Sequence, residues 1–512
     1  MSGSRQRTGQ AAVACGHRAS AAVAVEILRA GGNAFDAAIG AGMASCVSEP
    51  MLTSLGGGGF LLAHTASAQN ILFDFFCDTP GLGLDQPPDA IDFKPVTVPF
   101  GGADQVFHVG MGSSAVPGVL AGYAHAHARL GRLPLDRVVA PAARLAREGV
   151  ALNASQAYVN EILGPICTAT EGSRAIFAPH GELLGEGELI RSEELAAFLE
   201  AFALGRATLY SGEFADRIDA DMRATGGLLT REDLGAYRVI EREPLALDYH
   251  GRTVLTNPAP SLGGPLIGLA LRLLREAMSR GVAFESPHAL LELVGVAREV
   301  EQLRGHDEAI NDDLVRRGVA SVRTFVGGTT HVSVIDGEGN AASMTTSNGQ
   351  GCGYVVPGTG VMLNNMMGED DLFPGGFHSE PPGRRIRSMM SPTIVLEDGR
   401  PALVLGSGGS KRIRTAITRV LSAVLDAGLD VQEAIDAPRA HWDGEIAQLE
   451  PGFTGEAVAA LGERVPVNVW EASNVYFGGV HAVARDHDGL VTAGGDQRRD
   501  GWGEVVENTP TG

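Results

Sequence analysis

The stretch VGGTTHVSVIDGEGNAASMTTSNG, residues 326–349, decides how the rest of the chain is read. Gly327 and Gly328 precede Thr329, Thr330 and His331, and the runs HVSVID and AASMTTS flank the turn residues GEGN. Period-two alternation around such a turn predicts a β-hairpin. A Gly-Gly joint set against a strand that begins Thr-Thr permits backbone geometry other residues refuse. A threonine hydroxyl there can attack the preceding carbonyl and form an ester that water opens. Scission between Gly328 and Thr329 leaves a free α-amine on Thr329. Such an amine titrates at ~8, near where a general base must work at neutral pH. A threonine activated by its own amine is a recognised nucleophile arrangement. The same residues also suit an ordinary exposed hairpin, because threonine is a good strand former.

Outward from the hairpin the chain changes character. Before it, ASAAVAVEILRAGGNAFDAAIGAGMASCV (19–47) predicts two helices, with Gly31-Gly32 ending the first and Asn33 capping the second. SLGGGGF (54–60) leads into two short strands, and periodic apolar residues from Pro117 to Glu148 predict further helices. HGRTVLTNPAPSLGGPLIGLALRLLREA (250–277) reads as strand, loop and helix, and RGHDEAINDDLVRRG (304–318) as a polar, helical or exposed lead into the joint. After the joint, strand-and-turn segments dominate, with one helical pair near 413–438. The division expected is therefore a helix-rich part, 1–328, and a sheet-rich part, 329–512.

Composition narrows the function. With 44% hydrophobic residues and 20% charged, the 512-residue chain suits a large globular core. A net charge of −21 repels nucleic acid and anionic membrane and favours a small-molecule substrate. Five scattered cysteines, Cys15, Cys46, Cys77, Cys167 and Cys352, form no CxxC pair and read as free thiols in a reducing compartment. No apolar run approaches a membrane span, and the opening residues lack a signal-peptide core, so a cytoplasmic protein is expected. No metal or cofactor motif is present. His125 and His127 stand two apart on a helix and diverge, and SLGGGGF lacks the Lys-Ser/Thr of a phosphate loop. His331 is read mainly as structural, and Cys352 has no assignable His partner.

TTHVSVIDGEGNAASMTT resembles the start of the small subunit of gamma-glutamyltransferases, N-terminal-nucleophile hydrolases that mature by self-cleavage. EILRAGGNAFDAAI, EPMLTSLGGGGFLL, AVPGVLAGYAHAHARLGRLPL, NPAPSLGGPL, VMLNN, SMMSPTIV, LGSGGSKRI, AIDAPRAHWDG and GGDQRRDG follow the family's order over nearly the whole chain. The resemblance implies an α+β fold, a four-layer αββα sandwich built from two self-cleaved subunits that stay associated, with Thr329 on an edge of the central sheets. It implies Thr329 as nucleophile with Thr330 beside it, Ser347 in the place of a second hydrogen-bonding threonine, and Gly408 and Gly409 at the oxyanion hole. Bare glycine amides can approach a developing oxyanion closely.

The resemblance breaks in the substrate pocket. Phe76 of FDFFCDTP stands where the family carries an Arg for the glutamyl carboxylate. That charged hydrogen bond is worth roughly 1.5–3 kcal/mol. Asn364-Asn365-Met366-Met367-Gly368-Glu369 replaces an Asn-Asn-Gln-Met-Asp-Asp stretch, so Met366 replaces the Gln and Glu369 keeps an acid. Arg387-Ser388-Met389 retains one serine of a pair, with Arg387 a candidate for the missing guanidinium. The lid loop of some relatives is missing after Asp371. These features predict a hydrolase or acyltransferase acting on an amide other than plain glutathione. Rival readings are a carbon–carbon bond hydrolase of a 4-alkylproline (lincosamide or pyrrolobenzodiazepine) pathway, a β-lactam side-chain acylase, and an uncleaved binding or scaffold protein.

Overall fold

The computed structural model describes residues 11–99, 104–278, 282, 284, 286–303, 328–373 and 375–507. Gly327 and the 304–318 stretch lie outside the described residues. Two antiparallel sheets form the centre. The first has seven strands, in spatial order Trp502–Val506, Ala11–Cys15, Gly328–Ile335, Ala341–Gly349, Gly58–His64, Asn70–Phe75 and Ile240–Arg242. The second has six, ordered Val491–Gly494, Gly479–Arg485, Arg400–Gly408, Thr393–Glu397, Arg252–Thr256 and Leu245–Tyr249. Both sheets contain strands from before and from after Gly328, so neither part of the chain owns a sheet.

Helices cover both outer faces. Arg18–Arg29, Ala34–Ser48 and Val119–Leu130 pack on the seven-stranded sheet, with Leu135–Glu148 laid against Ala34–Ser48, and Gly263–Met278, Arg412–Leu425 and Val431–Asp436 pack on the six-stranded one. The first helix stops before Gly31, whose φ of +90° favours glycine. Asn33 then caps the second helix as its sequence predicts. Its Oδ1 accepts Phe35 N (3.0 Å) and Asp36 N (2.9 Å), while Asp36 Oδ2 accepts Asn33 N (3.1 Å). The result is the four-layer αββα sandwich.

Strand alternation sorts the hairpin side chains between two environments. Val332, Val334, Ala342 and Met344 face the helices, where each large side chain contributes roughly 1.5–3 kcal/mol by burial. The alternate residues turn towards the second sheet. Ser333 Oγ donates to His481 O (3.1 Å) and Ser343 Oγ to Leu405 O (2.9 Å), which ties the sheets together. His331 lies fully buried between them, its ring nitrogens 2.8 Å from Thr345 Oγ1 and 2.9 Å from Ser333 Oγ. Burial holds it well below the usual imidazole range, so it is a neutral structural linker.

The expectation that Thr329 sits at a sheet edge needs correction. Its strand is third of seven, an interior position. The neighbouring Ala11–Cys15 strand, however, stops at the Cys15–Val332 pair. Thr329 and Thr330 thus extend past their partner on that side, inside the sheet but at its open end.

Candidate active site

The register fixes the centre of the site. Thr329 pairs with Ser347 across the hairpin, and the pairing shifts between Gly328 and Thr329. Thr329 Oγ1 donates to Ser347 Oγ at 3.3 Å. Ser347 Oγ in turn donates to the carbonyl of Gly328 and accepts Gly349 N at 3.1 Å. A hydroxyl with one proton and two lone pairs can satisfy all three contacts. One hydroxyl relay therefore joins the candidate nucleophile to the carbonyl of the peptide bond preceding it. Gly57 makes room for this arrangement, since a Cβ there would strike the Ser347 carbonyl.

Because the Ala11–Cys15 strand has ended, the Thr329 carbonyl finds its donor elsewhere. Arg499 Nη1 reaches it at 2.9 Å from the C-terminal segment. Burial lowers the Arg499 guanidinium to about 10, against the raising influence of Asp496 and Glu49, which leaves it charged at neutral pH. Gly408, the last residue of its strand, lies against the same carbonyl, where a Cβ would collide with the oxygen. Gly409 follows with φ +123° and turns the chain towards the helix at Arg412. On the helical side of the strand, Thr330 Oγ1 lies 3.1 and 3.0 Å from the two oxygens of buried Glu49. Desolvation raises this carboxyl to about 7, moderated by hydrogen bonds from Thr330 and Ser45 and by Arg499.

A pocket opens beside Thr329 and Ser347, and Phe76, Met366, Glu369, Ser388 and Met389 line it. Leu372, Met390, Ser410 and Ile413 complete the wall. The Phe76 ring stacks on Phe60 at 5.6 Å. Asn365 and Arg387 do not line this pocket. The Asn365 amide is occupied with the turn after Ser347, accepting Gln350 N (2.7 Å) and donating to His108 O and Gln350 Oε1 (3.2 Å each). Arg387 is half-buried outside the lining. Among the described lining residues, Glu369 is the one with a formal charge.

Three contributors escape sequence reasoning: Glu49, Arg499 and Arg385. Arg385 pairs with Asp74 and Asp78 (2.5 Å each) while Ile386 N donates to Cys77 O (2.9 Å), which holds the following Ser388–Met390 segment against the pocket. Glu49 and Arg499 lie within the matched stretches EPMLTSLGGGGF and GGDQRRDG, but spacing does not reveal which charged residue reaches Thr329. The other candidates resolve as structural. His125 meets Glu241 (2.8 Å), His127 meets Leu133 O (2.8 Å), and all five cysteines are free and buried, Cys352 with its thiol pushed up to about 11 by burial. No group of metal-ligating side chains occurs among the described residues.

The chain is similar to known proteins over most of its length. A family model described as gamma-glutamyltranspeptidase matches residues 20–307 and 297–506. The glutathione hydrolase proenzyme of Escherichia coli (strain K12) is 33% identical, over 89% of this chain and 85% of its own. The acylase ACY 1 proenzyme of Pseudomonas sp. (strain SE83) is 31% identical, over 96% and 92%. The crystal structure of cephalosporin acylase from Bacillus halodurans superposes with a TM-score of 0.81 at 26% identity, covering 99% of this chain and 98% of that one.

Proposed function

The chain belongs to the gamma-glutamyltranspeptidase family and is an N-terminal-nucleophile hydrolase or acyltransferase; on that premise we propose that Thr329 is its nucleophile and that the chain frees it by cutting itself after Gly328. The observation that carries this reading is the relay from Thr329 Oγ1 through Ser347 Oγ to the Gly328 carbonyl. Thr329 Oγ attacks that carbonyl carbon as its proton passes to Ser347 and the Ser347 proton moves to the developing oxyanion. The C–N bond then breaks as that proton passes to the departing nitrogen, which frees the Thr329 α-amine and leaves an ester on Thr329 Oγ; water hydrolyses the ester to a Gly328 carboxylate and the Thr329 hydroxyl. In the mature enzyme that amine takes the Thr329 hydroxyl proton while Oγ attacks the substrate acyl carbon. Amides of the Gly408–Gly409 turn hold the oxyanion, and water or an acceptor amine releases the acyl group. The products of scission, 1–328 and 329–512, remain interleaved through both sheets.

The substrate is an amide of a small molecule other than plain glutathione. Phe76, Met366 and Met389 make the pocket apolar, and no guanidinium is among its described lining residues to meet a glutamyl carboxylate. A second reading, a side-chain acylase of β-lactams, is favoured by the likeness to two acylases over nearly the whole chain. Intact-protein mass measurement on wild type and Thr329→Ala tests the nucleophile. Two chains split at Gly328–Thr329, with the variant whole, are expected; an uncut wild type overturns the proposal. Glutathione, an apolar amide, a glutaryl amide and a vinylogous diacid then separate the substrate readings. Glutathione is expected at least roughly tenfold poorer in kcat/KM than the best amide. Turnover of the diacid alone would favour carbon–carbon cleavage.

A further inference from the structure

The Glu49 carboxylate takes no part in the steps above, yet the fold builds a place for it. Glu49 is the last, capping residue of helix Ala34–Ser48, with its N–H on Ser45 O (2.8 Å). That is the helix end where a negative charge is disfavoured, and the side chain is almost wholly buried. Room for it comes from Gly16, where a Cβ would strike both Glu49 Oε1 and Thr330 Oγ1. A carboxylate kept at an unfavourable helix end, in a buried space left by a glycine, is costly unless it serves the site.

Its surroundings show what it serves. Thr330, the residue after the proposed nucleophile, presents its hydroxyl to both carboxylate oxygens. The titratable and charged groups that face it are the Cys15 thiol from the first strand, the Cys46 thiol from its own helix, and Arg499 from the C-terminal segment. Burial pushes both thiols up to about 12, so they stay neutral. Arg499 meanwhile donates to the Thr329 carbonyl. The Thr329–Thr330 peptide unit thus lies between an acid held on one side and a guanidinium held on the other.

We infer that Glu49 is a positioning residue for the reaction at Thr329: bound to the Thr330 hydroxyl, it fixes the nucleophile strand and sets the field in which the Thr329 amine gains and loses its proton. The inference rests on Thr329 being the nucleophile. Ionised Glu49 favours the protonated, inactive amine, and Arg499 opposes it. Glu49→Gln keeps an oxygen for Thr330 to donate to but removes the charge, so the amine should lose its proton at lower pH.

The probe is p-nitrophenyl acetate with the processed protein. Thr329 Oγ takes the acetyl group, its proton passes to the amine, p-nitrophenolate leaves, and intact mass places the acetyl on the small chain. Glu49→Gln is expected to move the acid limb of the acetylation rate downward by about one pH unit. Thr330→Val, which keeps the Glu49 carboxyl but removes the hydroxyl bound to it, is expected to slow acetylation roughly tenfold. A wild-type limb in Glu49→Gln overturns the inference. So do wild-type rates in Thr330→Val, even where Glu49→Gln does not fold. Failure of the underlying reading shows separately, as a wild-type chain that is uncut or acetylated elsewhere.

Discussion

Ser347 illustrates how much one hydroxyl carries at this site. It accepts from Thr329, donates to the Gly328 carbonyl and accepts Gly349 N, so it steadies the nucleophile, the bond to be cut and the turn that follows. An alanine there removes a hydroxyl donor from the scissile carbonyl while leaving the strand pairing intact. Loss of a single oxyanion donor commonly costs two to three powers of ten in rate. Ser347→Ala is therefore expected to slow self-cleavage roughly 100- to 1,000-fold, and Ser347→Thr to restore most of it. Timed mass measurements of newly made chain check both. At this scale the sequence is informative about groups near the hairpin and silent about distant ones. Thr329, Thr330 and Ser347 fall within one alternating pattern, whereas Glu49 stands 281 residues from Thr330 and Arg499 is 170 from Thr329. No local periodicity links residues so far apart.

The elements converge on one backbone contact, where the strand Arg400–Gly408 ends beneath the Thr329 carbonyl. The close approach works because residue 408 has no side chain. Gly408→Ala would drive a methyl into the Thr329 carbonyl oxygen and against Arg499, and both neighbours are held, one by its sheet and the other by burial. Overpacking of this kind costs about 1–3 kcal/mol. A lowered melting temperature together with impaired scission is expected, and thermal unfolding beside intact mass measures the two effects. An unchanged melting temperature would mean that the strands slide apart freely. The caps and hairpins behind this contact were legible because their causes are local: Asn33 before a helix, GEGN between alternating runs. The contact between sheets was not, since GSGG reads equally well as a turn. Likewise, the interior position of the Thr329 strand depends on its neighbour Ala11–Cys15, over 300 residues earlier in the chain.

Across the whole molecule, the polar layer between the sheets and the acid beneath the site give stability opposing pH dependences. Burial holds His481 at about 4 and His331 well below its ordinary value of 6.5. Between pH 6.5 and the folded value the unfolded chain binds a proton that the folded one refuses, so stability falls as pH falls; His481 alone accounts for about 3 kcal/mol. Glu49, raised from 4.5 to about 7, acts in the opposite sense. Over that window the folded state holds the proton and the unfolded state does not, so stability rises by about 3 kcal/mol as pH falls from 7 to 4.5. Below 4.5 this compensation ends. Asp496, lowered from 3.8 to about 2 by Arg439 and Arg498 against its burial, then adds a further loss as acid protonates it in the unfolded chain first. The wild type should therefore lose stability gently between pH 6.5 and 4.5 and steeply below. Melting temperatures of wild type and Glu49→Gln across this range provide the check. Without the Glu49 titration, the full histidine slope should begin at 6.5. Parallel curves for the two proteins would instead mean that Glu49 holds the same proton in the folded and unfolded chains.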